Sequence, residues 1–108
     1  MDPARRAVTP ARSAAQRLEA LRRANEIRLG RAQLKKNLAT SSVRISDILL
    51  TPPACARAQK VDDLLLALPK YGPVRVARLL AHCRISPSKT VAGLSDRQRQ
   101  ELISRLSN

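Results

Sequence analysis

Basic side chains beside a tight glycine–proline turn are the residues of this sequence best suited to binding chemistry. Lys70 precedes Gly72 and Pro73, and Pro73 suits the first position of a helix, where its missing N–H group would have no partner anyway. Arg75 and Arg78 follow three residues apart and therefore share one face of that helix. Backbone N–H groups at a helix N-terminus are free to bind an anion, and neighbouring cations strengthen the attraction. The turn is therefore a predicted phosphate-binding site.

The charge of the whole sequence favours this interpretation over an ordinary helical hairpin with solvated arginines. The 108 residues include 21 Lys and Arg against 8 Asp and Glu, so the net charge is +13 and the pI is about 11.5. Such a charge indicates a polyanionic partner, with nucleic acid ahead of an anionic membrane. Tyr71 is the only aromatic residue, and modules that bind single strands stack bases on aromatic side chains. The composition therefore favours binding to the backbone of a duplex.

The turn lies between two stretches whose apolar residues recur at three- and four-residue spacing, which predicts a helix on each side. These residues are Val61, Leu64, Leu65 and Leu68 before the turn and Val76, Leu79 and Leu80 after it. Pro69 and Gly72 end the first helix within one turn. The hairpin would thus hold the basic residues at one end of a buried helix pair.

A long basic helix is predicted at the N-terminus. Thr9 can cap a helix that starts at Pro10, and helix-forming residues continue to about residue 39. We expect residues 1–8 to form a disordered basic tail and residues 9–39 to form this helix. Its apolar stripe is thin, so we expect the first half to project and the second half to dock. Gly30 should weaken the helix by about 1 kcal/mol relative to alanine.

The basic residues of this helix have three interpretations: a solvated face, a second contact with the DNA backbone, and an amphipathic membrane anchor. The second is favoured, because cations along a stiff rod can follow a row of phosphates. The membrane interpretation needs a bulky apolar face to insert. The predicted secondary DNA contacts are Arg12, Arg17, Arg22, Arg23, Arg28, Arg31 and Lys35.

Short helices are predicted for the rest of the chain. Ser86 and Pro87 have the pattern of a helix start, and Ser95 with Gln98 has the pattern of a capping box. No stretch alternates with a period of two, so the predicted fold is all-α, with a long N-terminal helix and a compact domain of short helices.

No cofactor, metal or catalytic residue is predicted. Cys55, Cys83 and His82 are too few for a zinc site, and no pairing of a nucleophile with a base is evident. No apolar run approaches the eighteen residues of a membrane span, and no secretory signal is evident, so we expect a cytoplasmic, non-enzymatic protein without membrane partners.

Several spaced motifs resemble the actinobacterial integration host factor, and the likeness extends over nearly the whole chain. The residues that carry it are Lys60, Val61, Leu64, Leu65, Leu68, Pro69, Gly72, Val74 and Arg75, followed by Ile85, Ser86, Ser88, Val91, Gly93 and Leu94. The resemblance implies a helix–two-turn–helix DNA-binding domain over residues 40–108. It also implies a nucleoid-associated protein that binds duplex DNA, bends or compacts it, and can support site-specific recombination. The expected partners are double-stranded DNA and a recombinase or integrase on the same DNA, and the protein is expected to be monomeric.

The resemblance also implies where DNA binds. Its main contact is the turn from Lys70 to Arg75, assisted by the segment from Lys89 to Gly93. Gly72 would give close backbone approach to a phosphate, while Val74 and Arg75 would supply N–H and guanidinium contacts. The resulting set of DNA-binding residues is Lys70, Tyr71, Gly72, Val74, Arg75, Arg78, Lys89, Thr90 and Gly93.

This sequence departs from the family pattern at several places. The family commonly has glycine where Lys70, Arg84 and Ser95 stand here, and it has lysine where this chain has Pro73, so the turn gains one lysine and loses another together with an N–H group. It also has a basic cluster where this chain has Lys89 to Ala92, so two cations are lost there. Two other functions agree with parts of this sequence. An RNA- or ribosome-associated basic helical protein would have a similar composition, and a helical adaptor that binds a partner protein would explain the long N-terminal helix. Equal affinity for duplex RNA and duplex DNA would favour the former.

Overall fold

The computed structural model describes residues 13–106, and within this range the chain is helical. The helices are α1 Ala14–Ala39, α2 Ile45–Leu50, α3 Ala54–Arg57, α4 Val61–Leu65, α5 Pro73–His82 and α6 Asp96–Leu106. Extended pairing in this range is confined to an isolated antiparallel bridge between Lys60 and Thr90. The all-α prediction is confirmed. None of the described helices is long and apolar enough to cross a membrane.

Helix α1 begins at Ala14 because Ser13 and Gln16 form a capping box. The Ser13 hydroxyl accepts from the Gln16 N–H at 3.1 Å, and the Gln16 side chain accepts from the Ser13 N–H at 3.0 Å. The helix predicted over residues 9–39 therefore starts too early, because Ser13 is extended, with φ −66° and ψ 164°. The predicted cap at Thr9, the helix start at Pro10 and the predicted tail over residues 1–8 lie outside the described residues.

Only the C-terminal half of α1 packs on the body of the protein. Leu34 and Leu38 are buried, whereas nearly all side chains from residue 13 to residue 29 are exposed. The described chain is accordingly elongated, with extents of 63 × 28 × 23 Å. The expectation that the first half projects and the second half docks is confirmed.

Gly30 lies where α1 crosses α3. A Cβ atom at this position would come within 2.9 Å of the Cys55 Cβ and 3.1 Å of its Sγ. Next to it, the Arg31 guanidinium donates from Nε to the Cys55 carbonyl oxygen at 2.7 Å. The glycine therefore permits the close approach of two helices and is more than a weak point in α1.

The core is built from aliphatic side chains of all six helices and their connections. Its largest fully buried members are Leu38, Leu49, Leu64, Leu65, Leu80, Leu102, Val61 and Val91. The α4–α5 hairpin and the α2–α6 pair pack around them. The Arg99 guanidinium on α6 donates to the Leu49 carbonyl at 2.6 Å, so it satisfies an acceptor in the last turn of α2.

The segment after α5 differs from the sequence expectation. The predicted helix start at Ser86 and Pro87 is wrong, because the Ser86 hydroxyl accepts from the Ser88 N–H in a turn and the chain then becomes extended. The Val91 N–H donates to the Gln59 carbonyl, and the Val61 N–H donates to the Lys89 carbonyl, both at 2.9 Å. These long-range bonds replace the local bonds of a helix.

The second capping box is confirmed at the start of α6. The Gln98 N–H donates to the Ser95 hydroxyl at 3.1 Å, and the Ser95 N–H donates to the Gln98 side chain at 3.0 Å. The Gln98 amide also donates to the Arg84 carbonyl at 3.0 Å, which links α6 to the chain that leaves α5. Both capping boxes are local motifs that four residues suffice to specify.

Replacing Gly30 by alanine should lower the free energy of unfolding by about 1 kcal/mol, although alanine is the better helix former. The added methyl group would push α3 away from α1, and overpacking of this kind outweighs a gain in helix propensity of about 1 kcal/mol. Urea unfolding followed by circular dichroism would measure it. The matched control is Ala32→Gly at an exposed position of the same helix, where only helix propensity changes. This control should also lower the free energy of unfolding, because glycine is the poorer helix former. A Gly30→Ala variant more stable than the parent would contradict the proposed close contact.

Candidate nucleic-acid interface

The turn between α4 and α5 is built from short-range backbone hydrogen bonds. The N–H groups of Ala67, Leu68 and Tyr71 each donate three residues back, at 3.0–3.3 Å. Lys70 then adopts a left-handed conformation with φ 69°, which reverses the chain. Gly72 follows in an extended conformation and serves as the N-cap residue of α5.

Helix α5 begins without a side-chain cap. Among the three described helices of ten or more residues, α1 and α6 begin with capping boxes, and α5 does not. Pro73 has no N–H group, and the first turn closes with the Val76 N–H donating to the Gly72 carbonyl at 3.0 Å. The N–H groups of Val74 and Arg75 are thus left for an external acceptor, at the end of the helix where its dipole attracts anions.

Gly72 leaves this helix start open. Its φ of −90° is available to every residue, and a Cβ built there would meet no atom within 4 Å. Neither backbone strain nor packing within the protein therefore requires glycine at position 72. The absence of a side chain does leave the backbone accessible to a ligand.

Tyr71 and Arg75 form a stacked pair beside the open N-terminus. The Arg75 Cζ lies 4.1 Å from the centroid of the Tyr71 ring, and the Arg75 Nη1 donates to the Lys70 carbonyl at 3.2 Å. Tyr71 is half-buried against the core, so the ring gives the guanidinium a fixed platform. Sequence reasoning placed both residues in the site and missed their contact, although their i, i+4 spacing was a signal for it.

The remaining predicted residues of the turn are exposed around this pair. Lys70 and Arg78 are exposed, and the Val74 side chain is 66% exposed at the start of α5. The structure therefore gathers Lys70, Tyr71 and Arg75 through direct contacts. Arg78 lies one helical turn further along α5.

Lys89, Thr90 and Gly93 form a separate segment, held against Lys60. The Gly93 N–H donates to the Thr90 carbonyl at 3.0 Å and to its hydroxyl at 3.2 Å. A Cβ on Gly93 would lie 2.9 Å from that hydroxyl, so the local turn itself requires this glycine. Within residues 13–106, no hydrogen bond joins this segment to the α4–α5 turn.

Several of the α1 cations that were predicted to contact DNA form ion pairs or hydrogen bonds within the protein. Arg22 and Arg23 both pair with Glu19, at 2.5 and 3.2 Å, and Arg28 donates to the Asn25 side chain. Arg31 holds α1 on α3 through the Cys55 carbonyl. Arg17 and Lys35 are exposed, and Arg12 lies outside the described residues.

Three residues other than glycine have a positive φ: Ser41, Lys70 and Arg84 among the described residues. Arg84 ends α5 in a Schellman motif, in which the Ile85 N–H donates to the Leu80 carbonyl at 2.9 Å. A left-handed conformation costs a residue with a side chain roughly 1–2 kcal/mol relative to a right-handed one. Lys70 therefore introduces a cation into the turn at a cost in stability.

The two cysteines contribute packing. Cys55 contacts Gly30 at the helix crossing, and Cys83 is buried at the end of α5. Burial raises the pKa of the Cys83 thiol; nearby Arg105 opposes this shift and Glu101 adds to it. Cys83 is therefore held as an uncharged thiol, the less reactive form.

Comparison with known proteins first defines the class. Residues 38–106 match the S13-like H2TH domain family, and this range contains the α4–α5 turn and the segment from Lys89 to Gly93. A solved structure described as sIHF bound to an 8-bp palindromic DNA superposes with a TM-score of 0.74 at 27% sequence identity, covering 80% of this chain and 99% of that one. The fold is thus that of a helix–two-turn–helix protein.

Curated relatives then define the family. The integration host factor of Mycobacterium tuberculosis is 33% identical over 95 residues, which span 86% of this chain and 90% of the relative. That of Mycolicibacterium smegmatis is 34% identical over 92 residues, which span 83% and 88% of the two chains. The chain belongs to the integration host factor family, so the resemblance inferred from its sequence motifs is confirmed.

Replacing Lys70 by glycine should stabilise the protein by about 0.5–1 kcal/mol and at the same time weaken DNA binding. Glycine adopts this φ without strain, although it loses more chain entropy on folding, and the substitution removes one cation. Urea unfolding and a DNA titration at fixed salt would measure the two effects. The control is Ser41→Gly, which removes the same strain without changing charge and should stabilise without altering DNA affinity. Unchanged stability of the Lys70→Gly variant would contradict the strained turn.

Proposed function

We propose that this protein binds the phosphate backbone of duplex DNA through the α4–α5 turn and organises or bends the DNA as a nucleoid-associated architectural protein. The observation that carries the proposal is the uncapped start of α5 with Arg75 already stacked on Tyr71 beside it. The solved neighbour is described as bound to an 8-bp DNA, which supports DNA as the ligand of this fold.

The chemistry of the proposed contact follows from the groups around the turn. A phosphate oxygen can accept from the N–H groups of Val74 and Arg75 because Gly72 places no side chain in its path. The Arg75 guanidinium keeps further N–H donors for the same strand after its bond to Lys70. Lys70 and Arg78 add positive charge on either side.

We further propose that this binding is only weakly selective for sequence. Phosphate contacts fix the position of a protein on the duplex and carry no sequence information, so any preference would arise from DNA deformability. Lys89, Thr90 and Gly93 are proposed as an auxiliary contact, and the basic residues of the N-terminal helix named in the sequence analysis are proposed as a secondary one. The proposed role is non-enzymatic and nucleoid-localised, with a monomeric protein acting alone or beside a recombinase. An RNA- or ribosome-associated function is not favoured.

Changing Arg75 and Arg78 together to alanine should weaken duplex binding about tenfold or more at low salt. The slope of log affinity against log salt should fall by about 1.8, because each lost phosphate contact contributes about 0.9. Fluorescence anisotropy of a labelled duplex at several salt concentrations would measure both quantities.

The matched control for this variant is Arg22→Ala with Arg23→Ala, which removes the same charge from α1. Both guanidiniums already pair with Glu19, so the slope should fall by clearly less than it does in the turn variant. The reverse pattern would move the main contact to α1. Equal affinity for duplex RNA would revive the alternative function. Absence of binding to any nucleic acid would overturn the proposal.

Replacing Gly72 by alanine should reduce duplex affinity roughly tenfold while leaving the melting temperature unchanged or slightly higher. The position has an ordinary φ and open space, so alanine fits the fold, but its methyl group would occupy the path of the phosphate. Thermal unfolding and the same DNA titration would separate the two effects. Full affinity in a folded Gly72→Ala variant would show that no phosphate approaches the backbone at this point.

A further inference from the structure

Helix α1 has a second apolar stripe, which faces away from the body of the protein. Leu18, Leu21 and Leu29 are 67%, 61% and 69% exposed. At 3.6 residues per turn they fall, together with Asn25 and Ala32, within a strip about 80° wide. We call these five residues the leucine stripe.

The leucine stripe lies on the side of α1 roughly opposite the residues that dock it. Leu34 and Leu38 face the core and are buried, and they fall about half a turn of the helix away from the stripe. The helix therefore carries two apolar faces, of which the protein itself covers one. Three leucines exposed to this degree on one face exceed the single apolar residues that are normal on a surface.

The flanks of the leucine stripe are basic. Arg17, Arg28 and Lys35 border it on one side. Arg22 borders it on the other side and pairs with Glu19, which falls further round the helix together with Glu26. A second copy of this helix laid on the stripe would bring like charges together, which is unfavourable. The phosphate backbone of DNA has no apolar surface that could cover three leucine side chains.

We propose that the leucine stripe docks an amphipathic helix of another protein, whose apolar face is bordered by Asp and Glu. Apolar residues of the partner would cover Leu18, Leu21 and Leu29, and its carboxylates would pair with the flanking cations. The projecting part of α1 offers such a helix about 27 Å of length between residues 14 and 32. The site is separate from the α4–α5 turn, so docking does not depend on the proposed main DNA contact, although its flanking cations belong to the proposed secondary one.

Two synthetic peptides test the proposal against the full chain. Both carry leucines at a and d positions of a 21-residue helix, with glutamates at the flanking positions in one peptide and glutamines in the other. We expect the glutamate peptide to bind at least tenfold more tightly than the glutamine peptide, measured by fluorescence anisotropy of the labelled peptides. Equal binding of the two, or binding of neither, would overturn the proposal.

Variants of the stripe separate docking from simple charge attraction. Leu18→Gln, Leu21→Gln and Leu29→Gln combined keep every cation and should reduce binding of the glutamate peptide at least tenfold. The matched control is Leu50→Gln, which changes a leucine 53% exposed on α2 and should leave peptide binding unchanged. The triple variant should keep its melting temperature and its affinity for duplex DNA. Failure of the docking proposal is therefore distinguishable from failure of the DNA-binding proposal. Peptide binding that survives the triple variant would overturn docking on the stripe.

The other occupants of the stripe give distinct results. Sedimentation equilibrium that shows a dimer in the parent and a monomer in the triple variant would assign the stripe to a second copy. Binding to phosphatidylserine vesicles that is lost in the triple variant, without peptide binding, would assign it to a membrane. Peptide binding that appears only after removal of residues 1–12 would assign it to that segment. Each of these outcomes would overturn the proposed partner.

Discussion

The packing of α5 against α4 and α6 determines the position of the groups at the α4–α5 turn. Val76 and Leu80 anchor α5 in an aliphatic core, and the half-buried Tyr71 packs on the edge of the same core. Arg75 stacks on the Tyr71 ring, so the packing of Tyr71 on the core fixes the position of the guanidinium. A phosphate contact on such a platform requires little ordering of the arginine on binding, which favours affinity.

The α4–α5 turn contains a strained residue that also contributes to the candidate interface. The left-handed conformation of Lys70 is unfavourable, but its carbonyl oxygen accepts from Arg75 and its side chain adds a positive charge beside the uncapped helix. Arg84 has the same backbone strain at the end of α5, where its carbonyl accepts from Gln98. Lys70 and Arg84 thus each place a cation at a left-handed position of the backbone.

Local signals made much of this structure predictable. The hairpin followed from apolar spacing around Pro69 and Gly72, and the capping box at Ser95 followed from residue types at fixed offsets. The failures involved long-range contacts. Gly30 and Arg31 meet Cys55 across two helices, and the residues after Ser86 pair with Gln59 and Lys60. No pattern within one segment encodes such a pairing, because the partner lies 24 to 32 residues away along the chain.

The net charge of +13 is unevenly available for binding. On α1, Glu19 forms ion pairs with Arg22 and Arg23, and Arg31 donates a hydrogen bond that docks the helix on α3. At the α4–α5 turn, Lys70, Arg75 and Arg78 lie near the free N–H groups and form no ion pair with a carboxylate of the described residues. Composition alone indicates a polyanionic partner and cannot divide the cations between these roles. The division shifts the proposed DNA contact toward the turn, and it leaves the outward face of α1, with its exposed leucines, suited to a different kind of partner.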